Sequence, residues 1–253
     1  MSYMDFNCFT GNWPFYKVRY NTVEKLAAQH KRIGVSCGVI SSLEAIFYQD
    51  PYEAELSLAK ELEGSNYLHA MILNPRLPGW KDDLHRAQRD LNIKAVRLVP
   101  GYHDYLLTDP IMDEVCAELR QAKLPLILTL RVLDDRSAYG IRPRPIPDAE
   151  AVEFLEKNPD IPTLIANLRV AQLKNYLPLF EVRQNLFMDT SGFMAGLFPV
   201  DDTWPQVGDR LVFGTNAPLT EMYSIRQILD TAAVDSSTKN TILTGTSFLN
   251  YFK

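Results

Sequence analysis

Short apolar segments alternate with amphipathic helical stretches along the whole of this 253-residue chain. Eight of the apolar segments have the length and composition of strands. They lie at Met4–Phe9, Ser36–Ser41, Tyr67–Leu73, Ile93–Val99, Leu124–Arg131, Thr163–Arg169, Asn185–Ser191 and Arg210–Asn216. Repeated strand–helix units favour a parallel sheet covered by helices. Eight of them predict an α/β fold, a (β/α)8 TIM barrel built as a single domain from residues 1–253.

Aspartate–proline pairs mark two of the predicted helix starts. Asp50 precedes Pro51 and Asp109 precedes Pro110, and in each pair the aspartate suits an N-cap and the proline the first helical position. After Pro110 the apolar side chains recur on one helical face, which predicts a helix packed on the sheet. That face comprises Ile111, Met112, Val115, Cys116 and Leu119.

Composition excludes several classes of function. The net charge is −5 and the basic residues are scattered, so nucleic acid is not an expected partner. No apolar stretch approaches the roughly 20 residues that cross a bilayer, so no membrane partner is expected either. The three cysteines are widely spaced within apolar runs, which indicates free thiols. A cytoplasmic location is the expectation.

Polar side chains gather at the predicted carboxyl ends of the strands, where TIM barrels place their reacting groups. Strand alternation turns inward Ala95, Arg97, Val99, Ile127, Thr129, Arg131, Ile165, Asn167, Arg169, Asp189 and Ser191. With residues of the first and last strands, the predicted polar chamber comprises Asn7, Arg97, Thr129, Arg131, Asn167, Arg169, Asp189 and Asn216. This chamber would hold three guanidinium groups and one carboxylate.

The three guanidinium groups predict a small anionic ligand. Guanidinium forks match carboxylate or phosphate oxygens in bidentate fashion, and their excess would make the chamber positive in an acidic protein. An equal alternative is that the arginines pair with acids of the chain and only hold the barrel end together. The available acids are Asp5, Asp134, Asp135 and Asp189.

Asp189 and His103 are the candidate catalytic residues. His103 follows the fourth strand, and an unperturbed imidazole titrates near neutrality. The favoured alternative for His103 is a loop histidine bonded to backbone or water. Asp189 ends the seventh strand, where it could equally cap the turn that follows. No Gly-x-Ser-x-Gly turn and no glycine-rich nucleotide loop occur in the chain.

Two further segments belong near the predicted mouth. The loop Val132–Pro147 is long enough to be a lid, and its arginines and prolines suit either a functional loop or an oligomer contact. An aromatic cluster follows the first strand and could floor an apolar subsite or pack in a homo-oligomer. It comprises Phe9, Trp13, Phe15 and Tyr16.

Short motifs along nearly the whole chain are similar to those of a known protein family. They are Asp5-Phe6-Asn7-Cys8-Phe9, Asn74-Pro75, Lys94-Ala95-Val96-Arg97-Leu98, Leu124-Pro125-Leu126-Ile127, Asp189-Thr190-Ser191-Gly192 and Phe213-Gly214-Thr215-Asn216-Ala217-Pro218. With them the chain resembles the amidohydrolase-related branch of the amidohydrolase superfamily, TIM-barrel hydrolases that use a metal. In the first motif, Asp5, Asn7 and Phe9 stand where the family usually has Asp-x-His-x-His, and the last motif is similar to its Phe-Gly-Ser-Asp-x-Pro.

The resemblance also implies which residues of the family's metal site are missing. Where the family has histidines or an aspartate, this chain has Asn7, Phe9, Thr129, Asn167 and Asn216. Amide, hydroxyl and phenyl groups do not replace imidazole as strong zinc ligands, and an asparagine does not exchange a proton as a carboxylate does. We therefore expect no metal of the family type and no other cofactor.

Three functions stay open at this point. The first is a member of this family that has lost metal-dependent catalysis, a pseudoenzyme that binds a small carboxylate-bearing ligand at the mouth. The second is a metal-independent enzyme, a lactonase-like hydrolase or a decarboxylase, that uses Asp189 or His103 with arginines as electrophiles. The third is a purely structural barrel whose mouth is filled by side chains or a partner.

Overall fold

Eight parallel strands form one sheet in chain order in this computed structural model, which describes residues 2–134, 140–194 and 199–252. The strands are β1 Tyr3–Thr10, β2 Val35–Ser42, β3 Leu68–Leu73, β4 Ala95–Leu98, β5 Leu126–Thr129, β6 Thr163–Ala166, β7 Leu186–Asp189 and β8 Leu211–Val212. Backbone hydrogen bonds join β1 to the segment at and after β8, from Phe6 N to Phe213 O (2.8 Å) and from Asn216 N to Asn7 O (2.6 Å). The predicted (β/α)8 barrel is confirmed.

Helices follow the strands and cover the outside of the barrel. They are α1 Val23–Arg32, α2 Pro51–Leu62, α3 Trp80–Asp90, α4 Pro100–His103, α5 Ile111–Ala122, α6 Asp148–Lys157, α7 Val170–Leu173, α8 Leu177–Val182, α9 Pro199–Val207, α10 Met222–Thr231, α11 Ser236–Thr244 and α12 Thr246–Leu249. Within the described parts of the chain, none of these helices combines the length and the apolar character needed to span a bilayer.

The two aspartate–proline pairs have different roles. Asp50 caps α2 as predicted, since its carboxylate accepts a hydrogen bond from Tyr52 N at 3.2 Å. The prediction for Asp109 was wrong, because that carboxylate accepts from Leu106 N at 2.8 Å and closes the turn before α5. The predicted buried face of α5 is confirmed, with Met112, Val115, Cys116 and Leu119 all buried.

Five strands end earlier than their apolar sequences predict. β4 ends at Leu98, β5 at Thr129, β6 at Ala166, β7 at Asp189 and β8 at Val212, so several candidate site residues lie in the loops beyond. Asn167 and Asn216 have φ angles of 62° and 57°. Asparagine tolerates this left-handed conformation better than most residues, and the parallel ladder cannot continue through it.

The alternation prediction for Ile165 was wrong. Ile165 packs in the layer between barrel and helices, while Leu164 and Ala166 face the barrel interior. The inward position of Asn167 therefore does not come from alternation along β6. It comes from the left-handed backbone at Asn167, which turns the chain after the strand ends.

Apolar clusters fill the barrel below and beside the candidate site. At the lower end, the ring of Phe248 lies 5.7 Å from that of Phe6 and 4.8 Å from that of Phe187. At the mouth, a second cluster covers the carboxyl ends of the first five strands. Its strand-end members include Phe9, Leu43, Ile72, Val99 and Val132. Within the barrel, buried polar side chains such as Arg97 form a polar layer between these two apolar clusters.

Candidate functional site

Arg97 lies at the centre of this polar layer. β4 turns its side chain inward, as alternation predicts, and the side chain is fully buried. Nε donates to Ser41 Oγ at 2.8 Å, and Nη1 donates to Asn7 Oδ1 at 2.7 Å and to Thr129 Oγ1 at 3.0 Å. The guanidinium carbon lies 4.4 Å from the centre of the Phe9 ring, a cation–π contact. Residues from three other strands, β1, β2 and β5, therefore surround one cation.

The guanidinium of Arg97 is charged but incompletely bonded. Burial lowers its pKa to about 10, which still leaves it protonated at neutral pH. All three of its hydrogen-bond acceptors are neutral. The remaining nitrogen, Nη2, is buried and has no hydrogen-bond partner in the part of the chain that the structure describes. A buried donor of a charged group without a partner costs free energy, so this atom needs a water or ligand oxygen.

Asn7 connects Arg97 to Asp189. Its Nδ2 donates to Ser191 Oγ at 3.0 Å, and Ser191 Oγ donates to Asp189 at 2.8 Å. Asp189 Oδ1 also accepts from Asn167 N at 2.9 Å and from Ser191 N at 3.3 Å. Asp189 therefore caps the turn after β7. The sequence predicts this role as the alternative to catalysis.

Asp189 is fully buried, and burial raises its pKa to about 6 against the opposing effect of these hydrogen bonds. Gly214 lies directly against the carboxylate, since a Cβ at that position would come within 2.5 Å of Asp189 Oδ2. The motif glycine is therefore needed for close approach. A carboxyl with this pKa exchanges protons close to neutrality.

Arg131 and Arg169 lie at the rim of the mouth. Arg131 Nη2 donates to Asn167 Oδ1 at 3.1 Å, and Asn167 Nδ2 donates back to Arg131 O at 2.9 Å. Arg169 Nη2 lies 3.9 Å from Asp134 Oδ2, with both side chains about two-fifths exposed. Pairing with Asp134, the alternative to ligand binding, is thus present but long and solvated. Asp135 lies outside the described residues.

A cavity of about 190 Å³ opens beside Arg131 and Arg169. Its lining includes Thr129, whose hydroxyl also accepts from Arg97, so the cavity adjoins the buried layer. The part of the Val132–Pro147 loop from Pro143 to Ile146 forms one wall. The full lining is Val99, Gly101, Tyr102, Thr129, Leu130, Arg131, Val132, Pro143, Arg144, Pro145, Ile146, Arg169 and Gln172.

Arg144, from the predicted lid loop Val132–Pro147, lines the cavity although it was not among the predicted site residues. It donates to both carboxylate oxygens of Glu150 at 2.8 Å and to Tyr105 O at 2.7 Å. Its backbone N donates to Gly101 O at 2.9 Å, which fastens the loop onto α4. Ser41 was also missed, because a serine within an apolar strand gives no signal of an arginine partner 56 residues away.

Asn216 joins the site through its backbone. Its N donates to Asn7 O at 2.6 Å, and its Nδ2 donates to Val132 O at 2.8 Å. Its Oδ1 is buried without a hydrogen-bond partner. Asn216 thus joins the segment after β8 to β1, where the barrel closes. Its Oδ1 remains able to accept a hydrogen bond in the polar layer.

His103 does not join the other predicted site residues. It lies in α4, and its Nε2 is 3.2 Å from Ile46 O, the backbone contact that the favoured alternative described. Burial lowers its pKa to about 4, so the ring is neutral at physiological pH. Among the cavity-lining residues His103 is absent. A proton-transfer role for it stays a prediction that this geometry does not favour.

The aromatic cluster after β1 packs within the chain. The ring of Trp13 lies 5.1–5.7 Å from those of Phe15, Phe47 and Tyr102, all edge to face. Tyr102 also lines the cavity, so the cluster supports the cavity wall. Tyr16 is more exposed, at 38%.

A second polar network lies on the opposite face of β1. Asp5 accepts from His30 Nε2 at 3.1 Å, from Thr215 N and Oγ1 at 3.1 and 2.5 Å, and from Asn7 N at 3.0 Å. His30 Nδ1 lies 2.9 Å from Tyr67 Oη. Cys8 faces the helix layer as predicted, and its thiol donates to Val39 O.

Asp5, Cys8 and His30 are also the single group of three potential metal ligands that the described residues bring together. Their polar atoms already bond to one another, to the backbone or to the side chains of Tyr67 and Thr215, and all three residues are fully buried. Cys8, Cys37 and Cys116 are free thiols, as predicted.

No family model matches this chain, and no curated protein matches its sequence. Solved structures do share its fold. A candidate amidohydrolase from Staphylococcus aureus is 14% identical with a TM-score of 0.71, covering 100% of this chain and 99% of its own. The 2,6-dihydroxybenzoate decarboxylase from Rhizobium is 13% identical with a TM-score of 0.73, covering 100% and 98%.

A dihydroxybenzoic acid decarboxylase from a Polaromonas species, solved with bound manganese and the inhibitor 2-nitroresorcinol, is 14% identical with a TM-score of 0.69. The alignment covers 99% of this chain and 96% of that one. This chain therefore shares the barrel fold of a candidate amidohydrolase and of two decarboxylases. At this identity the likeness defines the architecture, while the chemistry has to come from the side chains.

Proposed function

We propose that this barrel binds a small carboxylate-bearing molecule in the cavity at its carboxyl-terminal mouth. The observation that carries the proposal is the convergence of Arg131, Arg144 and Arg169 on one cavity of about 190 Å³ beside the buried Arg97. Glu150 neutralises Arg144, and Asp134 lies 3.9 Å from Arg169. Guanidinium groups that converge on one cavity favour a ligand with a carboxylate, because the guanidinium fork matches its two oxygens.

Part of the cavity wall is apolar and suits the body of a small organic acid. Val99, Val132, Pro143 and Ile146 line it together with Tyr102. A ligand with one charged end and an apolar body would match both parts of this lining. The related structures named above include enzymes for dihydroxybenzoates, which supports benzoates as first probes.

We further propose that ligand binding here does not use the divalent ion of the Polaromonas enzyme. At the positions that correspond to the family's metal ligands by resemblance, this chain has Asn7, Phe9, Thr129, Asn167 and Asn216. Asn7 Oδ1 and Thr129 Oγ1 already accept from the Arg97 guanidinium, and Asn167 Oδ1 accepts from Arg131. Neutral oxygens committed to cations do not fit a manganese or zinc centre, which requires imidazole or carboxylate donors.

A metal-independent hydrolase or decarboxylase is the second candidate function, and Asp189 is the observation in its favour. Its pKa of about 6 suits proton transfer near neutral pH, and Ser191 and Asn7 connect it to Arg97. Against this function, Asp189 is fully buried and caps a turn.

The free thiols support our proposal of a reducing, cytoplasmic location.

A thermal-shift titration tests the binding proposal. Benzoate and 2,6-dihydroxybenzoate should raise the melting temperature, because a ligand that binds only the folded state stabilises it. Benzamide, which has no charge, should have little effect. Manganese and zinc should add nothing to the benzoate shift.

Variants separate cavity binding from general charge effects. Arg131→Gln and Arg169→Gln should each weaken benzoate binding by about tenfold, the loss of one charge-assisted hydrogen bond. Arg142→Gln is the matched control, since Arg142 is exposed on the same loop and outside the cavity lining. Equal losses in all three variants, or stabilisation by metal alone, would overturn the proposal. Conversion of either acid by the wild type, abolished in Asp189→Asn, would establish the second function.

A further inference from the structure

We propose that the Arg97 guanidinium fills a fixed cation site in the barrel mouth and offers its uncommitted Nη2 to one oxygen of the bound ligand. This inference rests on the proposed function for the identity of the ligand. The cation site itself follows from the contacts of Arg97 and stands independently of that function.

The first observation is the set of oxygens around the guanidinium. Ser41 Oγ, Asn7 Oδ1 and Thr129 Oγ1 lie 2.7–3.0 Å from its nitrogens and come from three different strands. Phe9, from the same strand as Asn7, supplies an aromatic face at 4.4 Å. Neutral oxygens with an aromatic ring provide negative potential from several sides, the arrangement that a cation requires.

The second observation is that no carboxylate of the residues described by the structure bonds directly to this cation. Asp189 is connected to Arg97 only through Ser191 and Asn7. A buried arginine in a structural role is expected to end on a carboxylate or on backbone carbonyls. Arg183 does so, since it donates to Leu155 O and Ile161 O at 2.8 and 2.9 Å and all its nitrogens have partners.

The third observation is the buried Nη2 of Arg97, which has no partner. Thr129 lines the cavity and accepts from Nη1 of the same guanidinium. The Arg97 guanidinium is therefore one hydrogen bond away from a residue of the cavity wall, and a ligand oxygen that reached Nη2 would complete the hydrogen bonding of the group. The fixed positive charge would also be available to stabilise negative charge developing on that oxygen.

Chemical rescue tests the cation site. Arg97→Ala removes the guanidinium and should leave a cavity of matching shape. Millimolar guanidinium or methylguanidinium should then raise the melting temperature of this variant, while urea at the same concentration should not, because urea has the shape without the charge. Equal stabilisation by urea, or none by guanidinium, would overturn the cation site.

Ligand titrations test the role of Nη2. Arg97→Met should weaken benzoate binding by about tenfold or more, and Arg97→Lys, which keeps a charge, should lose less. Arg183→Met is the matched control, a second buried arginine that lies outside the cavity lining, and it should bind benzoate like the wild type. Unchanged benzoate affinity in Arg97→Met would overturn the contact.

The two proposals fail in different ways. If the wild type binds no benzoate, the proposed function fails, while the guanidinium rescue still decides the cation site. If benzoate binds but guanidinium does not rescue Arg97→Ala, the cation site fails and the cavity remains. Stabilisation of the wild type by manganese would count against the cation site, because a divalent ion and a guanidinium would repel each other in the same layer.

Discussion

Strand β1 carries two buried polar networks, one on each face, and they differ in how completely they are bonded. On the outer face, Asp5, His30, Tyr67 and Thr215 bond to one another, and none of their buried side-chain atoms lacks a partner. On the inner face, Arg97 Nη2 and Asn216 Oδ1 have none. A complete network holds elements together, whereas an incomplete one is suited to a ligand that completes it.

The complete network should be the more important of the two for stability. Asp5→Ala removes the acceptor for His30 Nε2 and for both donors of Thr215. Leaving these buried groups unpaired should lower the free energy of unfolding by about 3–5 kcal/mol. Urea unfolding would measure it, with Asp90→Ala, an exposed partner of Arg89, as control. A loss below that of the control would show that the outer network is dispensable.

His103 represents an intermediate case, since one ring nitrogen bonds to Ile46 O and the other has no partner. Its folded-state pKa of about 4 lies below its ordinary value of 6.5, so the folded state resists protonation. Stability should therefore be lost as the pH falls from about 6.5 through 4, by about 3 kcal/mol.

His103→Gln should remove this acid-dependent loss and leave benzoate binding unchanged. Urea unfolding of the variant and the wild type at several pH values would measure the difference. A loss of benzoate affinity in His103→Gln would restore His103 as a site residue.

The incomplete network should be the less costly one to disrupt. Arg97→Met replaces a desolvated charge by an apolar chain of similar length, and the acceptors it abandons are neutral. The free energy of unfolding should fall by only about 1–2 kcal/mol. Urea unfolding at neutral pH would compare the free energies of unfolding of Arg97→Met and Asp5→Ala. A loss as large as that of Asp5→Ala would mean that Arg97 is chiefly structural.

The smallest effect concerns the backbone that links the two networks. Asn216 has a φ of 57° and donates its N to Asn7 O. Asn216→Ala should be less stable than Asn216→Gly by about 1 kcal/mol, because both lose the amide but only alanine is strained in this conformation. Equal stabilities in thermal unfolding would show that the left-handed backbone at this position imposes no cost.

The contrast between the two networks also shows why site prediction was uneven. Arg97, Thr129 and Asp189 were placed correctly because each lies within a strand, where alternation decides which side a residue faces. Alternation does not hold from Ile165 to Asn167, because the backbone at Asn167 adopts the left-handed conformation. The prediction that Ile165 faces inward was therefore wrong. His103 follows β4 in sequence but turns with α4 toward Ile46.

The sequence by itself determined the eightfold barrel, the buried face of α5, the free thiols and the collection of arginines at the strand ends. These features depend on local periodicity and composition, which can be read from short segments of the sequence. Only the tertiary structure decided that Ser41, Asn7 and Thr129 receive the Arg97 guanidinium, that Arg144 belongs to the cavity, and that Asp5 pairs with His30. These contacts join residues far apart in the chain, so they arise only once the barrel has closed.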